Sequence, residues 1–529
     1  MKYNQKKQGE PAITTHEGGT AFVQSPEVAL LSLLATGLDK TFYEKSDERQ
    51  SRLVKLVEEV AQKDPYFAAQ CIVYARVVMD QRTSTHLAAA ALAKFAAGTE
   101  WGRHFYGRWD KKKGQGGIVV RLDDALEISS AYFHLNPDTQ TKRGHKSITN
   151  AMKKGFSRVL SLADRYELGK YSGRRRTLSL IDLVRLCHPK RTPLIEELVR
   201  EGRIKAHDIA ESKNSEAGQI VREKVKSGEI TEEQAEEALQ ELKGLNYDEL
   251  ITSGKIGYIQ LIRNLVQIVK ADPKLIDKAC KLITNKDRIK GSRIFPHQID
   301  IANEIIQMDL TSVHNHKLVA ALNEAYEIAT EHVKDLGIDE YTAVVIDTSA
   351  SMNFNGLIKM DKRKISKKPI EKAALIGATL AKGVLADVYE FASTADTLQY
   401  NPTDSVGTIK NRFAVTDSKC GHGTELDQVF KLFNELGKVY KRVFIISDLQ
   451  IYDSMVVHTS EYRKFVDRCG EPYIYAIDLV GYGNQPLKQS NSRYFNIVGY
   501  SSHIYETAKR YEIDPQALIS EVKQIKIIP

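Results

Sequence analysis

The chain has 529 residues, 42% of them hydrophobic and 27% charged, with a formal net charge of +8. This length exceeds a single ordinary core, and the composition excludes a fibrous or wholly disordered chain, so we expect two or three folded domains. No stretch approaches the roughly 18 consecutive apolar residues of a membrane span, and the first residues lack the apolar core of a signal peptide, which together predict a soluble cytoplasmic protein that does not associate with membranes.

The cysteines favour the same compartment. The chain has five of them, an odd number, and they lie far apart without a CxxC pair. That spacing indicates neither a disulfide framework nor a structural zinc site. We therefore expect free thiols in a reducing environment.

The first part of the chain is a succession of predicted helices. From about Glu27 to His332, apolar residues recur at spacings of three and four, for example in DPYFAAQCIVYARVV and IGYIQLIRNLVQIV. Proline in the first turn marks helix starts at Pro65, Pro273 and Pro296. About 300 residues of short amphipathic helices exceed a comfortable bundle, so the pattern predicts stacked helical pairs of the HEAT or armadillo kind, forming a solenoid or closed ring. An irregular helical bundle is the alternative.

Positive charge is concentrated in one part of this helical region. Between Trp101 and Arg200 there are 21 Lys and Arg against 10 Asp and Glu, a net charge of +11, so the rest of the chain is net negative. We call residues 142–191 the basic segment, because it holds 14 Lys and Arg against 3 acidic residues. Charge at this density predicts a surface that binds the phosphates of a nucleic acid, and a merely solvated face is the alternative.

The basic segment contains most of the candidate nucleic-acid contacts. They are Lys142, Arg143, Lys146, Lys153, Lys154, Arg158, Lys170, Arg174, Arg175, Arg176, His188, Lys190 and Arg191. Lys146, Lys153, Lys154 and Arg158 fall along one side of the predicted helix SITNAMKKGFSRV. The rings of Tyr166, Tyr171 and His188 are candidates for stacking on unpaired bases. A looser patch of Lys111, Lys112 and Lys113 lies in a Gly-rich loop.

At Tyr341 the pattern changes to alternating strands and helices. TAVVIDTS, DVYEFAS, KRVFIISD and PYIYAIDLVGY are β-rich apolar runs, and helical runs such as IEKAALIGATLAKGVLA lie between them. YFNIVGYS is a candidate last strand and DPQALISEVKQI a candidate closing helix. Near-continuous apolar strands alternating with helices predict a doubly wound α/β domain with a parallel sheet covered on both faces.

Polar residues follow two of the predicted strands. Asp347, Ser349 and Ser351 form a D-x-S-x-S sequence after TAVVI, Asp448 follows KRVFIIS, and Thr424 stands between them before the helix ELDQVF. Ligands of open parallel sheets bind at the carboxyl ends of the strands. Carboxylate and hydroxyl oxygens are the ligands of hard cations such as Mg²⁺, so the five residues predict a divalent cation site. Helix capping by the serines and the threonine is the alternative.

In this order, D-x-S-x-S, a later threonine and an aspartate after a further strand resemble the metal-ion-dependent adhesion site of von Willebrand factor A domains. The resemblance implies that Asp347, Ser349, Ser351, Thr424 and Asp448 hold the cation. Because only two of the five are carboxylates, the bound cation keeps an open position for an acidic group of a partner. No phosphate loop, GxSxG or HExxH sequence occurs, and a serine stands where a phosphatase has its second aspartate, so we expect no enzymatic activity.

A helical first part with a basic segment, followed by such an A domain, resembles the Ro ribonucleoprotein family, which combines a TROVE module with a von Willebrand factor A domain. THEGG, KDPYFAAQCIVYAR, IGYIQLIRNL and IFPHQIDIA each resemble a stretch of that module, and the length resembles that of bacterial members. The resemblance implies a TROVE ring of HEAT-like repeats over residues 1–337, closed by an A domain over residues 338–529.

The same resemblance implies a function in RNA metabolism. Small structured Y-like RNAs are expected to bind the outer basic face, and single-stranded 3′ ends of misfolded or unprocessed RNAs to pass through a monomeric ring, with an exoribonuclease as partner. One departure concerns the basic segment, where Cys187 precedes His188 in place of the serine that the family often has. Two alternatives are a protein-interaction module that captures an acidic partner through the cation, and a metal-dependent nuclease.

Overall fold

The structure is a computed structural model of the chain. It describes residues 12–138, 147–172, 178–204, 220–221, 223–225, 227, 229–254, 256–292, 294, 296–310, 312–330, 341–354, 358–360, 363–365, 368–415, 417–452, 460–485, 493–498, 508, 510–514 and 516–528.

The first part of the described chain is helical, and we call it the helical module. Its helices are α1 (Pro26–Thr36), α2 (Ser46–Lys63), α3 (Pro65–Val77), α4 (Thr83–Ala91), α5 (Ala93–Ala96), α6 (Gly102–Phe105), α7 (Leu122–Leu135), α8 (Asn150–Ser161), α9 (Arg165–Ser172), α10 (Leu180–Cys187), α11 (Pro193–Glu201), α12 (Glu232–Thr252), α13 (Tyr258–Ala271), α14 (Ile276–Ile283), α15 (Lys286–Ser292), α16 (Pro296–Asp309) and α17 (Ser312–Thr330). A 3₁₀ turn, Pro273–Leu275, precedes α14. A short hairpin of β3 (Trp109–Asp110) and β4 (Gln115–Gly116) holds the predicted Lys111–Lys113 loop in its turn.

Local signals set the starts of these helices. The Asp64 carboxylate accepts a hydrogen bond from Phe67 N at 2.9 Å, and Pro65 occupies the first helical position of α3. Helix α8 begins after Thr149, whose hydroxyl accepts from Met152 N. Helices thus start at Pro65 and Pro296 and a 3₁₀ turn at Pro273, which confirms the prediction from proline placement.

The helices pack on their neighbours and on the next helix but one. Helix α2 contacts α1, α3 and α4, α8 contacts α6 and α10, and later α13 contacts α12 and α16. Such contacts are typical of stacked helices, and they bury a continuous apolar core. The predicted helical first part is confirmed, with the short β3-β4 hairpin as an exception.

The C-terminal domain, from residue 341 onward, alternates strands and helices. Its strands are β5 (Thr342–Asp347), β6 (Ile358–Met360), β7 (Arg363–Ile365), β8 (Asp387–Phe391), β9 (Ala395–Thr397), β10 (Arg442–Ser447), β11 (Tyr473–Asp478), β12 (Asn484–Gln485) and β13 (Tyr494–Val498). Its helices are α18 (Pro369–Val384), α19 (Val406–Phe413), α20 (Asp427–Glu435), α21 (Ser460–Cys469) and α22 (Ala517–Lys523).

Six of these strands form the central sheet, in the order β13-β11-β10-β5-β8-β9. The first five are parallel, and β9 pairs antiparallel with β8 at one edge. Strands β5 and β10 lie side by side at the centre, where the order of the strands along the chain reverses. The predicted doubly wound α/β domain is confirmed, while the antiparallel edge strand was not predicted.

The beginning of the chain belongs to a second sheet with the C-terminal domain. Strand β1 (Ala12–Thr14) pairs with β2 (Thr20–Val23), and β2 pairs with β12. The predicted domain boundary at residue 337 therefore separates β2 from β12 along the chain, although the two strands pair in one sheet.

Polar and apolar contacts join the first helices to the C-terminal domain, and we call this contact of residues 12–105 with residues 473–528 the closing interface. Helix α1 contacts β13, and α3 contacts α22. The Arg49 guanidinium, 1% exposed, donates to Val480 O at 2.7 Å. Ser32 Oγ donates to Asp478 Oδ2 at 2.8 Å, and Gln70 Nε2 donates to Ile525 O at 2.8 Å. Buried donors and acceptors thus pair across this interface.

The last helix of the helical module also packs on the C-terminal domain. Helix α17 contacts α19. Glu327 accepts from Lys382 Nζ at 2.8 Å and from Val406 N at 2.6 Å, and the nearly buried Lys410 pairs with Asp300. Because both ends of the helical module bind the same domain, the chain closes on itself. Among the described helices, none is both long and apolar enough to cross a membrane.

Candidate cation site and basic surface

The predicted cation ligands lie where the two central strands end. Asp347 is the last residue of β5, and Asp448 directly follows β10. Because these strands are neighbours at the point where strand order reverses, their carboxyl ends form the crevice in which open α/β sheets bind ligands. Both side chains are buried, with 0% and 1% exposed.

Hydrogen bonds orient the Asp347 carboxylate. Its Oδ1 accepts from Ser349 N at 2.9 Å, and its Oδ2 accepts from Ser447 Oγ at 2.5 Å. Ser447 was not predicted from the sequence, although it immediately precedes Asp448 in IISD. It fixes one carboxylate oxygen from the neighbouring strand.

The serines connect the two carboxylates. Ser349 Oγ and Ser351 Oγ are 3.2 Å apart, and the Ser351 hydroxyl hydrogen-bonds the Asp448 carboxyl. Asp448 Oδ1 also accepts from Gln450 N at 3.2 Å. Asp347, Ser349, Ser351 and Asp448 therefore form one continuous group of oxygen atoms.

Thr424 is brought to the same place by its loop. Ala350 N donates to His422 O at 3.3 Å, and Tyr452 N donates to Thr424 O at 2.9 Å, so the loop bonds the segments that follow both β5 and β10. Gly421 has a φ of +88°, a backbone conformation that residues other than glycine rarely adopt. These backbone bonds hold the loop of the buried threonine, 1% exposed, against the segments that carry the other four residues.

Helix capping does not account for these hydroxyls. The 3₁₀ turn Ser351–Asn353 has Ala350 as its cap, and α20 has Leu426 as its cap, each without a side-chain hydrogen bond. The two serine hydroxyls bond each other and Ser351 bonds the Asp448 carboxyl, while Thr424 is not the cap of α20.

Burial makes the charged form of both carboxyls unfavourable. It raises the pKa of Asp347, and Glu17 adds to that rise while hydrogen bonds from Ser447 and Ser349 oppose it. Burial also raises the pKa of Asp448, with the charges of Asp347 and Asp478 as further causes. The neighbouring groups that raise these pKa values are acidic, so an ionised pair would lack the positive charge that a buried negative charge needs.

This donor set fits a hard divalent cation. Two carboxylates and three hydroxyls offer oxygen ligands, and a cation would supply the missing positive charge. No group of three or more His, Cys, Asp or Glu side chains that could bind a metal occurs in the described part of the chain. A zinc-type site of nitrogen and sulfur ligands is thus not present among those residues.

A turn at the beginning of the chain lies next to this site and was not predicted. His16 N donates to the Gln450 side chain at 2.9 Å, and Thr15 Oγ1 donates to Ile451 O at 3.2 Å. The Tyr43 hydroxyl donates to Glu17, and the Tyr43 ring stacks on His16 with centroids 4.6 Å apart. Only the THEGG sequence hinted at this turn, and nothing in it indicated the partner 434 residues away.

The described members of the basic segment face solvent. Lys154, Arg158, Lys170, His188, Lys190 and Arg191 are exposed, and Lys153 is half-buried. Lys154 and Arg158 lie one turn apart on α8, as the helical spacing predicts. Lys142, Arg143, Lys146, Arg174, Arg175 and Arg176 lie outside the described residues, as does the side chain of Tyr166.

Two expectations about the basic segment change with the structure. Tyr171 is only 6% exposed, so the prediction that its ring is available for base stacking is wrong: α9 turns it inward with Leu168. Cys187 is buried, which raises the pKa of its thiol to about 12, whereas His188 is exposed and has a left-handed backbone with φ of 48°. Cys187, which stands in place of the serine that the family often has, is thus buried and is not part of the exposed basic surface.

Comparison with known proteins identifies the first of the two parts. A model of the TROVE domain matches residues 16–248. This part of the chain is similar to TROVE domains. Over these residues the match agrees with the resemblance to a TROVE module that the sequence indicated.

The TROVE match begins at the turn beside the cation site and includes the whole basic segment, while the cation ligands lie outside it. Among solved structures, the crystal structure of the RO (RSR) protein of Deinococcus radiodurans matches with 15% sequence identity and a TM-score of 0.49, covering 92% of this chain and 100% of that chain. No curated protein matches the chain.

Proposed function

We propose that this TROVE protein is a non-catalytic RNA-binding scaffold. Small structured, Y-like RNAs bind the basic segment through their phosphates, and unpaired 3′ ends of misfolded or precursor RNAs are held by the helical module for an exoribonuclease. The observation that supports this most is the TROVE match over residues 16–248, because it contains the exposed cations of α8. Cytoplasmic RNA quality control is the corresponding role.

Charge reversal on α8 tests RNA binding. We expect Lys153→Glu, Lys154→Glu and Arg158→Glu together to weaken binding of a structured RNA. The slope of the logarithm of the binding constant against the logarithm of the salt concentration should become shallower by about 0.9 for each lost phosphate contact. A matched control reverses Lys274, Lys281 and Lys290, which are exposed lysines of the later helices. Equal losses in both triple variants, measured by filter binding at fixed salt, would show that only net charge matters and would contradict the proposal.

We also propose that Asp347, Ser349, Ser351, Thr424 and Asp448 bind Mg²⁺. When bound, the cation neutralises the two buried carboxylates and offers an open position to an acidic group of a partner protein. The support is the pair of carboxyls whose pKa burial raises, together with the serines that link them. This gives a second function, capture of an acidic partner, at a place separate from the basic segment.

Titration calorimetry with Mg²⁺ tests the cation site directly. Asp448→Asn keeps the shape of the side chain and removes one of the two charges, so we expect it to abolish measurable binding. Asp396→Asn, on the exposed edge strand β9, is the matched control and is expected to bind Mg²⁺ as the unchanged protein does. Incubation of labelled RNA with Mg²⁺ adds a further check, since cleavage that is lost in Asp448→Asn would contradict a non-catalytic scaffold.

A further inference from the structure

A cavity of about 840 Å³ lies at the closing interface, beside helix α8 of the basic segment. Its walls come from Tyr66 at the start of α3, residues 98–104, the first turn of α8, and Ile527 with Ile528 near the end of the chain. Ile527 N donates to the Tyr66 hydroxyl at 3.3 Å, and Gly116 N donates to Lys526 O at 2.9 Å, so hydrogen bonds fix the terminal segment that closes one side. A cavity between two parts of a protein is a common place for a ligand.

One wall of the cavity is aromatic. Trp101 is half-buried, and its ring meets Tyr66 edge-on at 5.8 Å between centroids and Phe105 at 6.2 Å. These two contacts hold the indole in one orientation while part of it stays open to the cavity. A fixed aromatic ring that is open to solvent offers a surface on which a planar ligand can stack.

The rim of the cavity is cationic. Arg103 and Lys154 line it and are exposed, and Arg158 follows one helical turn later. Burial lowers the pKa of His104 in the same wall, and the charges of Arg103 and Arg158 lower it further, which shows that both cations act at this place. Glu100 is the acidic residue among those that line the cavity.

Close packing of two helices brings these cations together. Gly155 of α8 lies against the segment of α6, so closely that a Cβ there would be 2.6 Å from Tyr106 Cβ and 2.8 Å from Arg103 O. With glycine at this position, Lys154 and Arg158 reach the same rim as Arg103. The cavity is thereby continuous with the basic helix.

We propose that this cavity binds one unpaired nucleotide of RNA, with its base against Trp101 and its phosphate between Arg103 and Lys154. The inference rests on the proposed function and gives it a site. Bases of an RNA duplex are stacked on each other and present only their edges, so a single ring in a cavity selects an unpaired base. The phosphate contacts then favour RNA over a neutral aromatic ligand.

Intrinsic fluorescence can report on this site, because the chain has two tryptophans. Trp109→Phe removes the other one, which lies in β3 and does not line the cavity, and leaves Trp101 as the single emitter. We expect a single-stranded oligouridylate to quench Trp101 emission in a saturable way. A blunt RNA duplex of equal charge is expected to bind the basic surface without this quenching.

Affinity measurements with two variants complete the test. Trp101→Leu and, separately, Arg103→Gln are expected to weaken oligouridylate binding about tenfold, as loss of a base stack or a phosphate contact does, with duplex binding unchanged. Arg103 is an exposed side chain, so its variant tests the site even where replacing Trp101 disturbs folding. Lys274→Gln, an exposed lysine that does not line the cavity, is the matched control and should bind oligouridylate normally.

The outcomes separate this inference from the function on which it rests. Oligouridylate binding that leaves Trp101 emission and the affinities of both variants unchanged would overturn the nucleotide site and leave RNA binding intact. Failure of both the oligouridylate and the duplex to bind would overturn the proposed function itself.

Discussion

The close packing of α8 against α6 predicts whether a substitution at this contact stabilises or destabilises the protein. Gly155 lies in the interior of α8, and an added Cβ would lie 2.6 Å from Tyr106 Cβ and 2.8 Å from Arg103 O. Carbon atoms in good contact are about 3.5–4.0 Å apart, so Gly155→Ala must move the two helices apart by about 1 Å. The groups that it meets are a Cβ and backbone atoms, which cannot turn away as the end of a long side chain can.

Two effects of this substitution oppose each other. Replacing an interior glycine by alanine favours the helix by about 1 kcal/mol, while overpacking a close contact costs about 1–3 kcal/mol. Because the contact is to backbone and Cβ, we expect the cost to be larger and the free energy of unfolding to fall by up to about 2 kcal/mol. The same movement would displace Lys154 from Arg103, so RNA affinity should also decrease.

A second glycine provides the control. Gly291 lies in α15, and a Cβ there would meet nothing within 4 Å. Gly291→Ala should therefore stabilise the protein by up to about 1 kcal/mol. Urea unfolding of both variants, followed by circular dichroism, compares them. The reasoning is refuted if Gly155→Ala stabilises the protein as much as Gly291→Ala does.

Three further predictions concern the cation site and the closing interface. Without divalent cations, the free energy of unfolding should fall as pH rises from about 4 to about 8, because the pKa values of Asp347 and Asp448 are higher in the folded than in the unfolded state and stability is lost as these groups ionise. Added Mg²⁺ should restore the melting temperature mainly at the high end of this pH range. A melting temperature that does not change with pH would contradict this prediction. Glu17→Gln should lower the pKa of Asp347 and weaken Mg²⁺ binding measured by calorimetry, since one negative charge near the site is lost. Arg49→Met should leave Gly37 O and Val480 O without their buried donor and cost about 1–3 kcal/mol for each unpaired oxygen, while Glu44 keeps its bonds to Arg52. The loss should be seen as faster hydrogen exchange in both α1 and β11, and exchange that changes in neither would rule out this role.

Much of the fold follows from local patterns. Apolar residues spaced three and four apart gave the helices of the helical module, and continuous apolar runs gave the five parallel strands of the central sheet. The positions of Asp347 and Asp448 at strand ends followed from the same runs, because parallel strands place their carboxyl ends at one edge. Local periodicity was sufficient for these features.

Contacts between distant segments were not predictable in this way. Pairing of β2 with β12 joins residues more than 450 positions apart, and two-residue strands leave no periodic signal. Ser447 and Tyr43 act on the cation site through partners that only the folded sheet and the N-terminal turn supply. Tyr171 was misjudged because charged neighbours in the sequence hid the fact that its side of α9 faces the core.

The closing interface also bears on how the chain is made. Residues 12–105 leave the ribosome long before residues 473–528, which provide the partners of Ser32, Arg49 and Gln70. Until β11 and α22 have been synthesised, a guanidinium destined for burial and the apolar sides of α1 and α3 lack their cover. A polypeptide that stalls before β11 would therefore present this surface to chaperones and proteases, and residues 473–528 supply the contacts that cover it.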